Sequence, residues 1–183
     1  MASFYAEYTE RGNAMNNTLN VSHQERPEGG DALKPTYLVT LKLIERLQRL
    51  LLDVLKDELD RIGCKEVNSV QALLLFNIGD MELTAGEIRS RGFYMGSNVS
   101  YNLKKLQELG CIEHERSESD RRAVRIRLTE RGKQISRMVN ELVERQLGLI
   151  EKVGGISLSD LESMNRTLHR LERFWTDQIR YRL

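Results

Sequence analysis

The chain has 183 residues, of which 40% are hydrophobic and 30% charged, and its formal net charge is +1 at pH 7. This length suits one domain, or one domain with an arm, and it can bury a hydrophobic core. The near-neutral charge excludes a general nucleic-acid coat but allows one local basic surface. No apolar run approaches the roughly 20 residues of a membrane span, and the N-terminus lacks a signal-peptide pattern. We therefore expect a soluble, cytoplasmic protein without a membrane partner.

Residues 1–34 form a polar segment that contains three aromatic side chains, Phe4, Tyr5 and Tyr8. The composition predicts an N-terminal arm rather than a part of the core. Two interpretations of the aromatic residues stay open. The arm docks on its own dimer, or it is an extension before Met15 without a structural role.

A long helix is predicted next, opened by Pro35 and running over about Tyr37–Ile62. Its apolar residues are Leu38, Val39, Leu41, Leu43, Ile44, Leu47, Leu50, Leu51, Leu52, Val54, Leu55, Leu59 and Ile62. They cover more than one side of the helix, so the helix must be buried on more than one side. A small monomer cannot easily provide that burial, and we expect residues 35–62 to be a dimerisation helix.

Three further helices lead into the middle of the chain. The first is expected over Ser69–Ile78, and Thr84 with Glu87 forms a capping box that starts the second, a short helix. The third begins at Ser97 and ends at Gly110. Its apolar residues recur at spacings of 4, 3 and 3, namely Val99, Leu103, Leu106 and Leu109. One face of this helix is therefore buried and the opposite face is free.

The free face and the segment after it favour nucleic acid as the partner. The face carries short polar groups that can reach base edges and cations that can reach phosphates: Ser97, Asn98, Ser100, Tyr101, Lys104 and Lys105. Two predicted strands follow, Glu113–Arg116 and Val124–Leu128, joined by the loop Ser117–Ala123. The loop holds Asp120, Arg121 and Arg122. This is the layout of a winged helix-turn-helix: two helices joined by a turn, followed by a hairpin with a basic tip. The fold as a whole is predicted to be mainly α.

Positive charge is concentrated in the same part of the chain. Residues Glu87–Lys133 contain 11 Lys/Arg and 7 Asp/Glu, whereas the rest contains 17 Lys/Arg and 20 Asp/Glu. A charge run alone is often only a solvated face. Here it coincides with the helix pair and the hairpin, and the coincidence predicts DNA binding over residues 63–128.

The C-terminal part, residues 129–183, is predicted to be two dimerisation helices. Thr129 caps a helix over about Glu130–Val153, and Ser157 or Ser159 caps the last one. The apolar residues of the last helix recur at spacings of 3, 4, 3 and 4: Leu161, Met164, Leu168, Leu171 and Trp175. This heptad seam is suited to packing against a partner helix across a two-fold axis.

The sequence gives no support for an enzyme. Nucleophile-elbow, phosphate-loop, dinucleotide and zinc-protease motifs are absent from the sequence. The histidines are isolated, and His169 with Glu172 is read as a surface pair. We expect neither a cofactor nor a metal. The two cysteines, Cys64 and Cys111, are not at metal-binding spacing.

The middle of the chain resembles the MarR family of bacterial winged-helix regulators. The residues that carry this resemblance are the run Ser97–Gly110, the wing Ser117–Arg122 with its D-R-R, and L-T-E-R-G at 128–132. The resemblance spans about Pro35–Leu183. The whole chain looks nearest to an alphaproteobacterial branch of the family that includes regulators of L,D-transpeptidase genes.

The resemblance implies roles for several residues. Asp120 would orient Arg122, which would enter the minor groove, while Ser97, Asn98, Ser100 and Tyr101 would contact the major groove. Tyr101 stands where many members have arginine, so the base preference of the family is not carried over.

The resemblance also implies a sensory function, by one of two routes. Family members bind aromatic acids or phenols between the dimer helices and the DNA-binding lobe, and the position of Thr40, Leu43 and Phe76 makes them the candidate ligand contacts. The alternative is oxidant sensing through Cys64 or Cys111. The sequence thus predicts a homodimeric, ligand-responsive transcription regulator at a pseudo-palindromic operator. A rival is a winged-helix protein-interaction module that does not bind DNA.

Overall fold

The fold is described from a computed structural model, over residues 30–90, 96–116 and 124–181. Residues 1–29 of the predicted arm and the wing tip Ser117–Ala123 lie outside the described residues. The chain divides into two compact units, residues 1–45 and 46–183. In the first, the described part is a single stretch of helix.

Helices dominate, and a small antiparallel sheet accompanies them, as the sequence predicts. The helices are α1 (Gly30–Arg61), α2 (Ser69–Ile78), α3 (Ala85–Ser90), α4 (Gly96–Glu108), α5 (Glu130–Ile150) and α6 (Leu158–Tyr181). The strands are β1 (Leu83–Thr84), β2 (Ile112–Arg116) and β3 (Val124–Leu128). None of the helices in these described ranges is long and apolar enough to cross a membrane.

The start of α1 differs from the prediction. The helix begins at Gly30, so Pro35 lies inside it rather than opening it. A proline lacks the N–H that would bond the carbonyl four residues earlier, which here belongs to Asp31 in the first turn. The Thr36 hydroxyl donates to the Ala32 carbonyl at 2.8 Å. The loss of one hydrogen bond so near the helix end is tolerated, and the last residues of the predicted arm are helical.

The sheet has three strands where the sequence predicts a two-stranded hairpin. The order is β1-β3-β2, with Leu83 opposite Ile126 and Ile126 opposite His114. β1 has only two residues, too few for an alternating pattern to be recognised. β1 pairs with the hairpin immediately before α3 begins. This pairing fixes the position of the start of α3, and so of the pair α3–α4, relative to the sheet.

One hydrophobic core joins the sheet to the C-terminal part of α1 and to α2, α3, α4 and α5. Its fully buried members include Leu55 of α1, Leu74 and Leu75 of α2, Ile88 of α3, Val99 and Leu106 of α4, Ile126 of β3 and Val139 of α5. α2 is apolar around its circumference because it lies inside this core. Its N-terminus is closed by a capping box between Asn68 and Gln71.

The C-terminal helices follow the prediction with small changes. α5 ends at Ile150, three residues before the predicted Val153, and Ser157 caps α6. The Ser157 hydroxyl accepts from the Asp160 N–H at 3.2 Å, while the Asp160 carboxylate accepts from the Ser157 N–H at 2.9 Å. This reciprocal pair selects Ser157 over Ser159.

A tight junction joins the end of α4, the start of β2 and the start of α5. The Thr129 hydroxyl donates to the Gly110 carbonyl at 2.7 Å and accepts from the Gly132 N–H at 3.2 Å. The Thr129 N–H donates to the Cys111 carbonyl at 3.1 Å. A Cβ at position 132 would overlap the Cys111 carbonyl oxygen and lie 3.1 Å from its carbon. The L-T-E-R-G motif therefore has a packing explanation in which both the threonine and the glycine are needed.

A buried carboxylate joins α1 to α5. Glu58 is 6% exposed, and its oxygens accept from Arg61 at 2.6 and 2.9 Å and from Arg145 at 2.5 Å. The hydrogen bonds from Arg61, with a smaller contribution from Arg145, lower the pKa of Glu58 from 4.5 to about 2 against the opposing effect of burial. The side chains of both arginines are about half exposed, so this cluster of three charges lies at the edge of the core.

Two glycines of α5 give a matched test of the junction. Gly132→Ala should lower the free energy of unfolding by about 1–3 kcal/mol, the usual cost of overpacking. Gly148→Ala should raise it by about 0.5–1 kcal/mol, because nothing lies within 4 Å of the added methyl group and alanine favours a helix. Denaturant unfolding at one fixed protein concentration measures both. Equal effects of the two changes would contradict the packing explanation.

The Glu58 cluster predicts acid sensitivity with a defined sign. The pKa of Glu58 is lowered in the folded state, so its contribution to stability is complete above about pH 4.5 and is lost as the pH falls towards 2. Glu58→Gln should destabilise the protein at pH 7 by about 1.5–3 kcal/mol, the usual contribution of a hydrogen bond to a charged group, because both half-exposed arginines can return to water. The variant should also lose the part of the pH dependence between 4.5 and 2. Unfolding at several pH values, with the exposed Glu162→Gln as control, measures this. Parallel profiles for wild type and Glu58→Gln would contradict it.

Candidate nucleic-acid interface

The first part of the predicted interface is the pair α3–α4. The Thr84 hydroxyl accepts from the Glu87 N–H at 3.2 Å, and the Glu87 carboxylate accepts from the Thr84 N–H at 2.7 Å. This is the capping box that the sequence predicts at the start of α3. Gly110, with a φ of 66°, follows the end of α4 in the left-handed conformation that glycine favours.

The two faces of α4 differ as the spacing predicts. Val99, Leu103 and Leu106 are buried, whereas Ser100, Lys104 and Lys105 are exposed. Tyr101 is 62% exposed, so its ring and hydroxyl are available to a partner. Ser97 and Asn98 belong to the first turn of α4, and their side chains lie outside the described residues. The described part of this face presents hydroxyls and ammonium groups, which suits phosphates and base edges.

The two lysines of this face are not equivalent. The Lys105 ammonium lies 2.8 Å from the Glu108 carboxylate. Their hydrogen bond raises the pKa of Lys105 and lowers that of Glu108. No carboxylate within ion-pair distance of Lys104 is found among the described residues, so its charge is the more available of the two.

The second part is the wing. β2 and β3 pair in antiparallel register from Ile112 opposite Leu128 to Arg116 opposite Val124. The strand bounds agree with the prediction, apart from Ile112 at the start of β2. Asp120, Arg121 and Arg122 belong to the tip, outside the described residues, and their roles stay predictions. His114 is an exposed strand residue.

Ion pairs account for much of the positive charge that the sequence concentrates here. The pairs are Lys105–Glu108, Arg125–Glu82, Arg127–Glu113, Arg127–Glu115, Arg131–Glu66 and Lys133–Glu130. The charge count made from the sequence treats all of these cations as available to DNA, although each of them contacts a carboxylate. The carboxylates on β2 are functional candidates that the sequence reasoning missed, although the alternation of charge in I-E-H-E-R and V-R-I-R-L was a signal for cross-strand pairs.

The predicted ligand contacts lie in different elements. Thr40 and Leu43 belong to α1 in the first unit, where Leu43 is 50% exposed and the Thr40 hydroxyl donates to the Thr36 carbonyl at 3.1 Å. Phe76 belongs to α2 in the second unit and packs against the core. In the described residues, no group of three His, Cys, Asp or Glu side chains could hold a metal ion.

The two cysteines have different environments. Cys111 is buried, and burial raises the pKa of its thiol. An oxidant sensor needs an accessible thiolate with a lowered pKa, so this environment favours a structural role for Cys111. Cys64 is half-buried and lines an open pocket of about 190 Å³ with Ile62, Arg131, Gln134 and Ile135.

Comparisons with known proteins agree on the family. The model described as MarR family matches residues 66–123, which include α2 to α4 and the hairpin up to the tip. The exopolysaccharide II synthesis transcriptional activator ExpG of Rhizobium meliloti (strain 1021) is 38% identical over 157 residues. The match covers 84% of this chain and 78% of that protein.

Solved structures share the fold. FabT of Streptococcus pneumoniae, in complex with DNA, has a TM-score of 0.61 at 23% identity, and the match covers 77% of this chain and 98% of that chain. The transcriptional regulator SlyA has a TM-score of 0.65 at 17% identity over 79% and 99% of the two chains. The family model, the ExpG relative and these two structures lead to the same conclusion. The chain belongs to the MarR family of winged helix-turn-helix transcriptional regulators, which are not enzymes.

Proposed function

We propose that the protein is a homodimeric transcription regulator that binds double-stranded DNA at a pseudo-palindromic operator in the cytoplasm. This proposal rests mainly on the exposed polar face of α4, which includes Tyr101 and Lys104. The opposite face of α4 is buried in the core. The similarity to a protein named a transcriptional activator supports it. Each half of the operator would receive one α4 in its major groove.

The two parts of the interface would have separate tasks. Ser97, Asn98, Ser100 and Tyr101 would read base edges, and Lys104 and Lys105 would contact phosphates. At the wing tip, Asp120 would orient Arg122 towards the minor groove, with Arg121 beside it. A narrow A·T-rich minor groove concentrates negative potential and attracts arginine.

Exposed apolar side chains support the dimer. In α1 they are Leu33, Tyr37, Leu38, Val39 and Leu43 in the first unit, and Leu47, Leu50, Leu51 and Val54 in the second. In α6 they include Met164, Leu168, Phe174 and Ile179. So many exposed large apolar residues mark an interaction surface. A second copy of the chain would cover residues 35–62 and 129–183 and leave residues 63–128 for DNA.

The signal to which the regulator responds would be a small aromatic or apolar acid. Thr40, Leu43 and Phe76 are the candidate contacts by their position in the sequence. Oxidation is the alternative signal, and the exposure of the two thiols makes Cys64 the better candidate for it than Cys111. Titration of operator DNA with the protein, once in the presence of aromatic acids and once in the presence of hydroperoxide, separates the two signals.

The direct test is to sequence the genomic DNA fragments that the purified protein retains. Enrichment of one pseudo-palindromic sequence, with binding that weakens as salt is raised, is the expected result. Retention of no DNA would favour the protein-interaction module instead.

The dimer predicts the outcome of changes in α6. Leu168→Asp with Leu171→Asp should leave no stable folded monomer, because an obligate dimer often has none. Arg166→Asp with Arg170→Asp, which places new carboxylates on the opposite face of α6, should leave the dimer intact. Sedimentation and circular dichroism measure both. A stable folded wild-type monomer of 21.2 kDa at working concentrations would contradict the dimer.

The two parts of the interface should respond differently to substitution. Arg122→Ala should weaken binding to most duplexes and flatten the salt dependence, because one cation near phosphates is lost. Asn98→Ala should act mainly on the cognate site, by about 1–3 kcal/mol for a bidentate contact, with little change in salt dependence.

Titration of cognate and scrambled duplexes at several salt concentrations measures these effects, with the exposed Arg166→Ala as control. If Arg122→Ala binds both duplexes like wild type, the wing tip is not a DNA contact.

A further inference from the structure

The outer face of the wing sheet holds a set of opposite charges that we call the stem ladder. Its members are Glu82 beside β1, Glu113 and Glu115 of β2, and Arg125 and Arg127 of β3. In the register of the sheet, Glu113 lies opposite Arg127 and Glu115 opposite Arg125. Successive side chains of a strand point to opposite faces. Next to the ladder residues along the strands, Ile112, Ile126 and Leu128 are buried in the core, whereas His114 is exposed.

Both arginines of the ladder lie near carboxylates, and Arg127 is the more closely held. Arg127 Nε donates to Glu113 Oε1 at 2.8 Å, and its Nη1 lies 3.1 Å from Glu115 Oε2. Arg125 Nη1 lies 4.0 Å from Glu82 Oε2. Three carboxylates against two guanidinium groups give this face no surplus positive charge.

Stability alone does not account for the ladder. Each of its side chains is about half exposed to solvent. Exposed ion pairs of this kind typically contribute about 0–1 kcal/mol to folding. Interior residues such as Ile126 already fix the sheet to the core. A contribution this small suggests that the ladder has a role at the surface other than stability.

The ladder lies at the base of the predicted DNA-contacting tip. Glu115 and Arg125 are one residue inside the strand ends from which the chain enters residues 117–123. A strand rises about 3.3 Å per residue. Glu115 and Arg125 are thus within about 8 Å, the Debye length at physiological ionic strength, of the start of the tip segment. Glu113 and Arg127 are farther along their strands, but Arg127 Nη1 lies 3.1 Å from Glu115 Oε2, so the Arg127 guanidinium group lies beside Glu115. DNA contacted by the tip would feel these charges.

We propose that Glu113 and Glu115 limit the sequence-independent affinity of the wing for DNA by neutralising Arg127. This inference rests on the proposed DNA-binding function. An arginine held by two carboxylates releases no counterions from DNA, and counterion release supplies nearly all non-specific binding. Discrimination between operator and other DNA is then left to α4 and to the tip. The two glutamates are specificity-determining residues that act through Arg127.

The test removes both carboxylates without changing their shape. Glu113→Gln with Glu115→Gln should tighten binding to a scrambled duplex roughly five- to tenfold near 0.1 M salt, and should steepen the slope of log K against log salt by about 0.9, the value for one added phosphate contact. The ratio of cognate to scrambled affinity should fall. Adding Arg127→Gln to this double variant should cancel the gain, whereas Arg127→Gln alone should leave the wild-type slope almost unchanged.

The matched control removes two carboxylates elsewhere that also contact a basic side chain, by Asp60→Asn with Glu172→Gln. It makes the same change in net charge, so it measures the effect of overall charge alone. If wild type binds DNA and the Glu113/Glu115 variant behaves like this control, the ladder proposal is overturned and the proposed function stands. If wild type binds neither duplex, the proposed DNA-binding function itself fails, and the ladder proposal fails with it.

Discussion

The close approach of α5 to the Cys111 carbonyl is the constraint on which the described winged helix-turn-helix region depends. Thr129 bonds the backbone at both Gly110 and Cys111, and Gly132 lets the first turn of α5 lie against that backbone without a side chain between them. The end of α4, the start of the wing and the start of α5 are thereby fixed at one point. The orientation of the polar face of α4 relative to the hairpin follows from this contact.

The opposite part of α5 carries the second fixed contact. Arg145 reaches Glu58 of α1, beside the core residues Leu55 and Leu59. α5 therefore bonds to α1 near one end and to the wing at the other. A rigid helix with both ends held keeps the spacing between these contacts nearly constant. Any rearrangement of the last turns of α1 must move α5 as a body or break the Glu58 cluster.

The sequence predicted those elements whose signals are local. The capping box at Thr84, the glycine after α4 and the spacing of Val99, Leu103 and Leu106 each depend on residues a few positions apart, and each was predicted. For the last helix the sequence left Ser157 and Ser159 as alternative caps, and the hydrogen bonds with Asp160 decide for Ser157. Two other features were missed. Pro35 is tolerated within α1 because it lies close to the start of the helix, and β1 is too short to show an alternating pattern of apolar residues. The Glu58–Arg145 bond joins residues 87 positions apart, and no local pattern reveals it. The neutralisation of Arg127 became visible only with the strand register.

The position of β2 at the edge of the sheet has a consequence for solubility. An edge strand offers unpaired backbone groups to which a strand of another molecule can add. If two copies of β2 met in antiparallel fashion about His114, Glu113 of each copy would lie opposite Glu115 of the other. Like charges directly opposite each other destabilise such a pair. The carboxylates on this strand thus also oppose edge-to-edge aggregation of the wing.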